Sequence, residues 1–183
     1  MNTTMINRNI IKLIDEAIFP ALSLVVAKML GLLLSVYFSN ISFEIKTHAL
    51  FGILPALSFN SVANYITAEN YSNLAMFFAS ALGTTVILIR AHFFHESHIH
   101  PNLQAKLASL NLESLIAPSY HLYHQALIWL IFIWMTVGFL IVSTLMKITY
   151  PQISIIAFIL AANLSWVFAV DVEKEIEINR SVQ

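Results

Sequence analysis

The 183-residue chain contains no cysteine. Disulfides and thiolate chemistry are therefore excluded, although the redox compartment cannot be read from this. Charge is also scarce. Only 10% of residues are Asp, Glu, Lys or Arg, against about 25% in a typical soluble domain. The formal net charge is −1, so no basic field points to nucleic acid. There are four glycines, with no Gly-rich phosphate loop and no GxSxG elbow, and no HExxH site is present. No acidic pair lies deep in an apolar run. What the chain does have is 58% hydrophobic residues and a mean hydropathy of +0.77. Together with long apolar runs, these mark a polytopic membrane protein.

A bilayer core of about 30 Å requires about 20 apolar residues in a helix. Four segments meet this: 17–38, 74–94, 126–146 and 153–170. The first is too long for a signal-peptide core of roughly 7–15 residues, and Asp15 and Glu16 interrupt its approach, so it reads as a retained span. Tyr150-Pro151 joins the last two as a tight hairpin, because proline suits the first turn of a helix. A fifth stretch, 48–66, reads HALFGILPALSFNSVANYI. Its proline and asparagines make a poor lipid-facing span. It fits a fifth helix inside the bundle, a re-entrant segment or a stretch at the interface.

Charge placement separates these schemes. With four spans, Arg8, Lys12, Arg90, Lys106, Lys174 and Arg180 share one side, against Lys46 and Lys147 on the other. With five spans the split reverses to Arg8, Lys12 and Lys147 against the rest. The positive-inside rule favours four spans, with both termini and the His-rich loop in the cytoplasm. The expected fold is an all-α integral membrane bundle over 1–170. A surface amphipathic helix lies near 101–117, where Leu103, Leu107 and Leu110 share a face. The charged tail 171–183 follows. Ala75, Ala79 and Gly83, and Ser154, Ala157, Ala161 and Ser165, recur at helical spacing and are expected to form packing stripes.

Two constellations could carry chemistry. The first is histidine. Six of the seven histidines fall between His92 and His124. On a helix, His92, His95 and Glu96 stand at i, i+3 and i+4, with His98 further round. His121 and His124 form a second i, i+3 pair at the start of the next span. Imidazole and carboxylate in this arrangement suit zinc or iron. The metal-ligand candidates are thus His92, His95, Glu96, His98, His121 and His124. Membrane-bound di-iron oxygenases use HxxxH and HxxHH boxes, whereas this chain has HxxHExH, HxH and HxxH. The bland alternative is a collar of interfacial histidines beside Phe93, Phe94, Tyr120 and Tyr123. A pH-responsive cluster is the third reading, since unperturbed histidine titrates near pH 6.5.

The second constellation is Lys28, in the middle of the first span. A charge at that depth costs roughly 2.5–3.5 kcal/mol on insertion scales, which makes it a functional candidate by default. Its face carries Ala21, Leu24, Gly31 and Ser35 and is expected to point into the bundle. Asn60 and Asn64 are its expected partners, and snorkelling is the structural alternative.

The sequence thus leads first to a non-catalytic membrane subunit, assembly factor or scaffold. Its expected partners are the lipid bilayer and either further copies or other membrane subunits. A membrane-embedded metalloprotein, possibly an oxidoreductase, is the second reading. A small transporter or channel subunit centred on Lys28 is the third.

Overall fold

The computed structural model describes residues 3–50, 54–94, 99–112, 116 and 118–181. These form five helices and one β-hairpin: α1 (Thr3–Ser39), β1 (Phe43–Leu50), β2 (Leu54–Phe59), α2 (Val62–Phe93), α3 (Pro101–Ser109), α4 (Ser119–Leu145) and α5 (Pro151–Ser181). Four of the helices are long and apolar enough to cross a membrane, over Ile14–Ser39, Val62–Phe93, His121–Leu145 and Pro151–Glu177. The fold is all-α apart from the small two-stranded sheet.

The stretch 48–66 is not a helix in its first part. Pro55 disfavours helical geometry at the residue before it, and β1 and β2 instead pair antiparallel, with Phe43 opposite Phe59 and Leu50 opposite Leu54. The two-stranded ladder tolerates Pro55 because both strands are edges. Ser61 then caps α2, its hydroxyl accepting the Asn64 backbone N–H at 3.1 Å. As a result α2 starts twelve residues before the expected boundary at 74. At the other end of the chain, α5 runs on to Ser181, so most of the charged tail is helical. The surface helix α3 is shorter than expected and stops at Ser109.

The helix stops reflect the shortage of glycine. Asn40, Asn111 and Lys147 all adopt positive φ, at 48°, 56° and 60°. In each case the next residue donates its N–H back five positions: Ile41 to Val36, Leu112 to Leu107, and Ile148 to Ser143. This is the bonding of the Schellman motif, where glycine is the usual left-handed residue. Here two asparagines and a lysine take its place.

Small residues set the helix contacts, as expected when lipid gives no drive for apolar helices to associate. At Gly31, a Cβ would lie 2.6 Å from Ala75 Cβ and 2.7 Å from the Tyr71 carbonyl oxygen. This allows α1 to press against the backbone of α2. Gly83 seats the Trp129 ring of α4. Ala157 and Ala161 of α5 are buried against Ile133, Val137 and Leu140 of α4, with Phe77 of α2 in the same core. Hydroxyls add bonds at these seams. Ser72 donates to the Lys28 carbonyl at 2.7 Å, Ser154 to the Leu140 carbonyl at 3.0 Å, and Trp134 Nε1 to Ser165 at 2.9 Å. Both expected stripes of small residues therefore lie at packing seams. Helices α2 and α4 form the centre, while α1 packs mainly on α2 and α5 mainly on α4.

Gly31→Leu should destabilise the protein by about 1–3 kcal/mol, since two of the atoms it would strike, the Tyr71 carbonyl oxygen and Ser72 Cα, are backbone and cannot give way. Gly138, whose added Cβ would meet nothing within 4 Å, should accept alanine without loss. Thermal unfolding in detergent checks both, and equal tolerance at the two positions would show that α1 does not sit this close to α2.

Candidate functional site

The polar residues of the bundle gather in two layers. The first joins α1 and α2 to the α4–α5 link. Lys28 lies 14 residues after Ile14 and 11 before Ser39, or about 21 and 16 Å along the helix axis. Its Nζ donates to Glu69 Oε1 at 2.7 Å and to Asn73 Oδ1 at 2.8 Å. Glu69 and Asn73 stand at i, i+4 on α2 and so share a face. Asn73 in turn donates to Thr149 Oγ1 at 3.5 Å. On the next part of the helix surface, Asn70 donates to the Ile148 carbonyl at 2.7 Å and accepts from the Tyr150 N–H at 3.3 Å. The segment ENYSN, 69–73, thus ties α2 to α1 on one side and to the α4–α5 link on the other.

The expected partners of Lys28 are occupied elsewhere. Asn60 donates to Ser42 at 2.7 Å, and Asn64 belongs to the first turn of α2. Because α2 starts early, Glu69 lies within that helix, next to Asn70, which bonds the α4–α5 link. The i, i+4 spacing of Glu69 and Asn73 was the sequence signal for a polar helix face opposite Lys28. On the rest of the Lys28 face, Leu24, Gly31 and Ser35 are buried and Ala21 is half-buried.

The second layer lies where α2 ends and α4 begins. His92 Nδ1 meets Asp171 Oδ1 at 2.6 Å, and Tyr123 donates to Asp171 Oδ2 at 3.0 Å. His124 Nδ1 meets Glu16 Oε2 at 2.5 Å. These contacts link α2 to α5, α4 to α5, and α4 to α1. His121 is half-buried in the first turns of α4. His100 caps α3, its Nδ1 accepting the Asn102 N–H at 3.3 Å.

The histidine cluster of the sequence is thus divided in part. His92 and His124 engage different carboxylates on different helices. His95, Glu96 and His98 lie outside the described residues. Among the described residues, no three histidine, aspartate or glutamate side chains converge as a metal site would require. Also among these residues, no buried side-chain nitrogen or oxygen lacks a hydrogen-bond partner. Asp171 and Glu16 were not expected to take part, because both sit at segment ends where a charged residue ordinarily faces water.

No family model, curated protein or solved structure matches the chain. The site therefore has to be read from its own geometry. The first layer is a neutral ion pair between neighbouring spans, and the second is a set of histidine–carboxylate contacts holding four helix ends together. Neither presents a nucleophile beside a base.

The Lys28 side chain is 40% exposed and that of Glu69 22%. The pair is therefore only partly buried, and its strength is that of a part-exposed ion pair. Lys28→Met should leave the Glu69 carboxylate without its counter-charge and cost about 1 kcal/mol, as expected for a part-exposed pair. Lys28→Met combined with Glu69→Gln should recover at least half of that. Unfolding in mixed micelles measures both, and an equal loss in the single and double variants would show that the two residues do not act as a pair.

Proposed function

We propose that this protein is a non-catalytic component of a membrane assembly, acting as a subunit or scaffold whose outer helices meet other chains or further copies. One observation supports this most. Lys28, Asn70, Ser72 and Ser154 bond across the helix seams, and among the described residues no buried side-chain nitrogen or oxygen lacks a hydrogen-bond partner. The outer faces of α1 and α5 are broad and apolar, with Leu22, Leu33, Phe158 and Trp166 exposed. The six-to-two excess of Lys and Arg on the side of the termini supports a cytoplasmic position for both ends and the loop after α2.

Photo-crosslinking residues at positions 22, 33, 158 and 166, activated in native membranes, test the reading. A protein adduct of fixed mass from one helix face, but not from the other, is the expected result. Lipid adducts alone at all four positions would overturn it. Reporter fusions should place both ends on the cytoplasmic side and the β1–β2 hairpin on the opposite side. Purified protein should carry no stoichiometric metal. Stoichiometric zinc or iron that is lost in His95→Ala with His98→Ala would move the function to the metalloprotein reading instead.

A further inference from the structure

Helices α1, α2 and α4 do not close on one another near the histidine layer. An open groove of about 610 Å³ runs between them, and Phe19, Leu82 and Val86 on its walls are exposed on the outer surface. Its two ends differ in chemistry. Asp15, Glu16, Arg90 and Gln125 line the rim, whereas Phe19, Leu82, Val86 and Trp129 line the shaft. The small residues Ser23, Ala79 and Gly83 also border the shaft, and the Phe19 and Trp129 rings meet edge-on at 6.2 Å. From Asp15 to Ser23 is about 12 Å along α1, and from Arg90 to Ala79 about 16 Å along α2.

A polar rim over an apolar shaft of this length, set between membrane helices, suits an amphiphile. The rim carries both signs of charge. Arg90 already has a partner within the protein, but its guanidinium has five donors and matches phosphate geometry. Asp15 and Glu16 offer carboxylates, and Glu16 meets His124 through Oε2. Pro20, inside α1 and lining the same groove, has no N–H, so the Glu16 carbonyl four residues earlier lacks its helical donor. A head with a phosphate and a primary ammonium complements this rim. The ammonium supplies three N–H donors, which a trimethylated choline head lacks, and a glycerol head carries no cation.

We propose that this groove binds one phosphatidylethanolamine molecule, with its phosphate at Arg90, its ammonium at Asp15 and Glu16, and one acyl chain along the shaft against Trp129. This goes beyond the subunit reading and does not depend on it.

Tryptophan quenching by bromine-labelled acyl chains tests the proposal. Trp129 is 7% exposed and lines the groove, whereas Trp166 is 71% exposed on the outer face of α5. Trp134→Phe with Trp166→Phe leaves Trp129 as the reporter. Trp129→Phe with Trp134→Phe leaves Trp166, which reports surrounding lipid. Both are reconstituted in phosphatidylcholine vesicles containing a minor fraction of brominated phosphatidylethanolamine, phosphatidylcholine or phosphatidylglycerol.

The Trp129 reporter should be half-quenched at about tenfold less brominated phosphatidylethanolamine than either other lipid, as expected for hydrogen bonds to charged groups. Trp166 should show no headgroup preference. In the Trp129 reporter, Asp15→Asn, at an exposed position, should reduce the preference. Ala79→Leu should remove the quenching by filling the shaft, and its unfolding temperature shows whether the bundle is intact. If Ala79→Leu does not fold, the Asp15→Asn result decides. Quenching of Trp129 without headgroup preference would overturn the proposal. So would the same preference at Trp166, or a preference unchanged in Asp15→Asn.

Discussion

The bond from Lys28 to Glu69 and Asn73 is the constraint on which the arrangement of α1 and α2 depends. Lys28 takes its counter-charge from Glu69, and α2 turns a polar face toward α1 to supply it. That requirement sets the rotation of both helices. Once Lys28 faces α2, Gly31 and Ser35 on the same stripe face it too, and Gly31 lets the backbones come close. Ser72 then reaches the Lys28 carbonyl. Polar attraction and small-residue packing thus act in the same register.

The same segment of α2 connects the second half of the bundle. Asn70 holds the α4–α5 link through Ile148 and Tyr150, and Asn73 reaches Thr149. At the opposite end the roles are taken by carboxylates from the ends of α1 and α5, which receive His124, His92 and Tyr123. Four long helices are therefore tied at two levels, with the apolar core of α2, α4 and α5 between them. Hydrogen bonds of this kind are worth about 1–2 kcal/mol at most in membranes, so their number and placement matter more than any one of them.

The histidines show how spacing can mislead in a membrane helix. Pairs at i, i+3 on consecutive spans look like half-sites of one centre. Yet a histidine at a helix end has several neighbours to choose from, and carboxylates on a third and fourth helix were nearer partners for His92 and His124. Sequence spacing orders residues along one helix but carries no information about which other helix faces them. Glu69 was missed for a related reason. A polar stretch before an apolar run looks like the edge of a span, but here it forms the first turns of a helix that its neighbours make polar on one side.

The sequence by itself determined membrane character, four helices long and apolar enough to span, Lys28 as an unusual charge within the first of them, and the stripes of small residues at the seams. These follow from composition and period measured against a bilayer of known thickness, which acts on each segment separately. Only the tertiary structure decided that Glu69 and Asn73 are the partners, that 48–66 divides between a β-hairpin and the start of α2, and that His92 and His124 take separate carboxylates. Each of those depends on which helices are neighbours and how each is rotated, and that is settled by contacts among segments far apart in the chain.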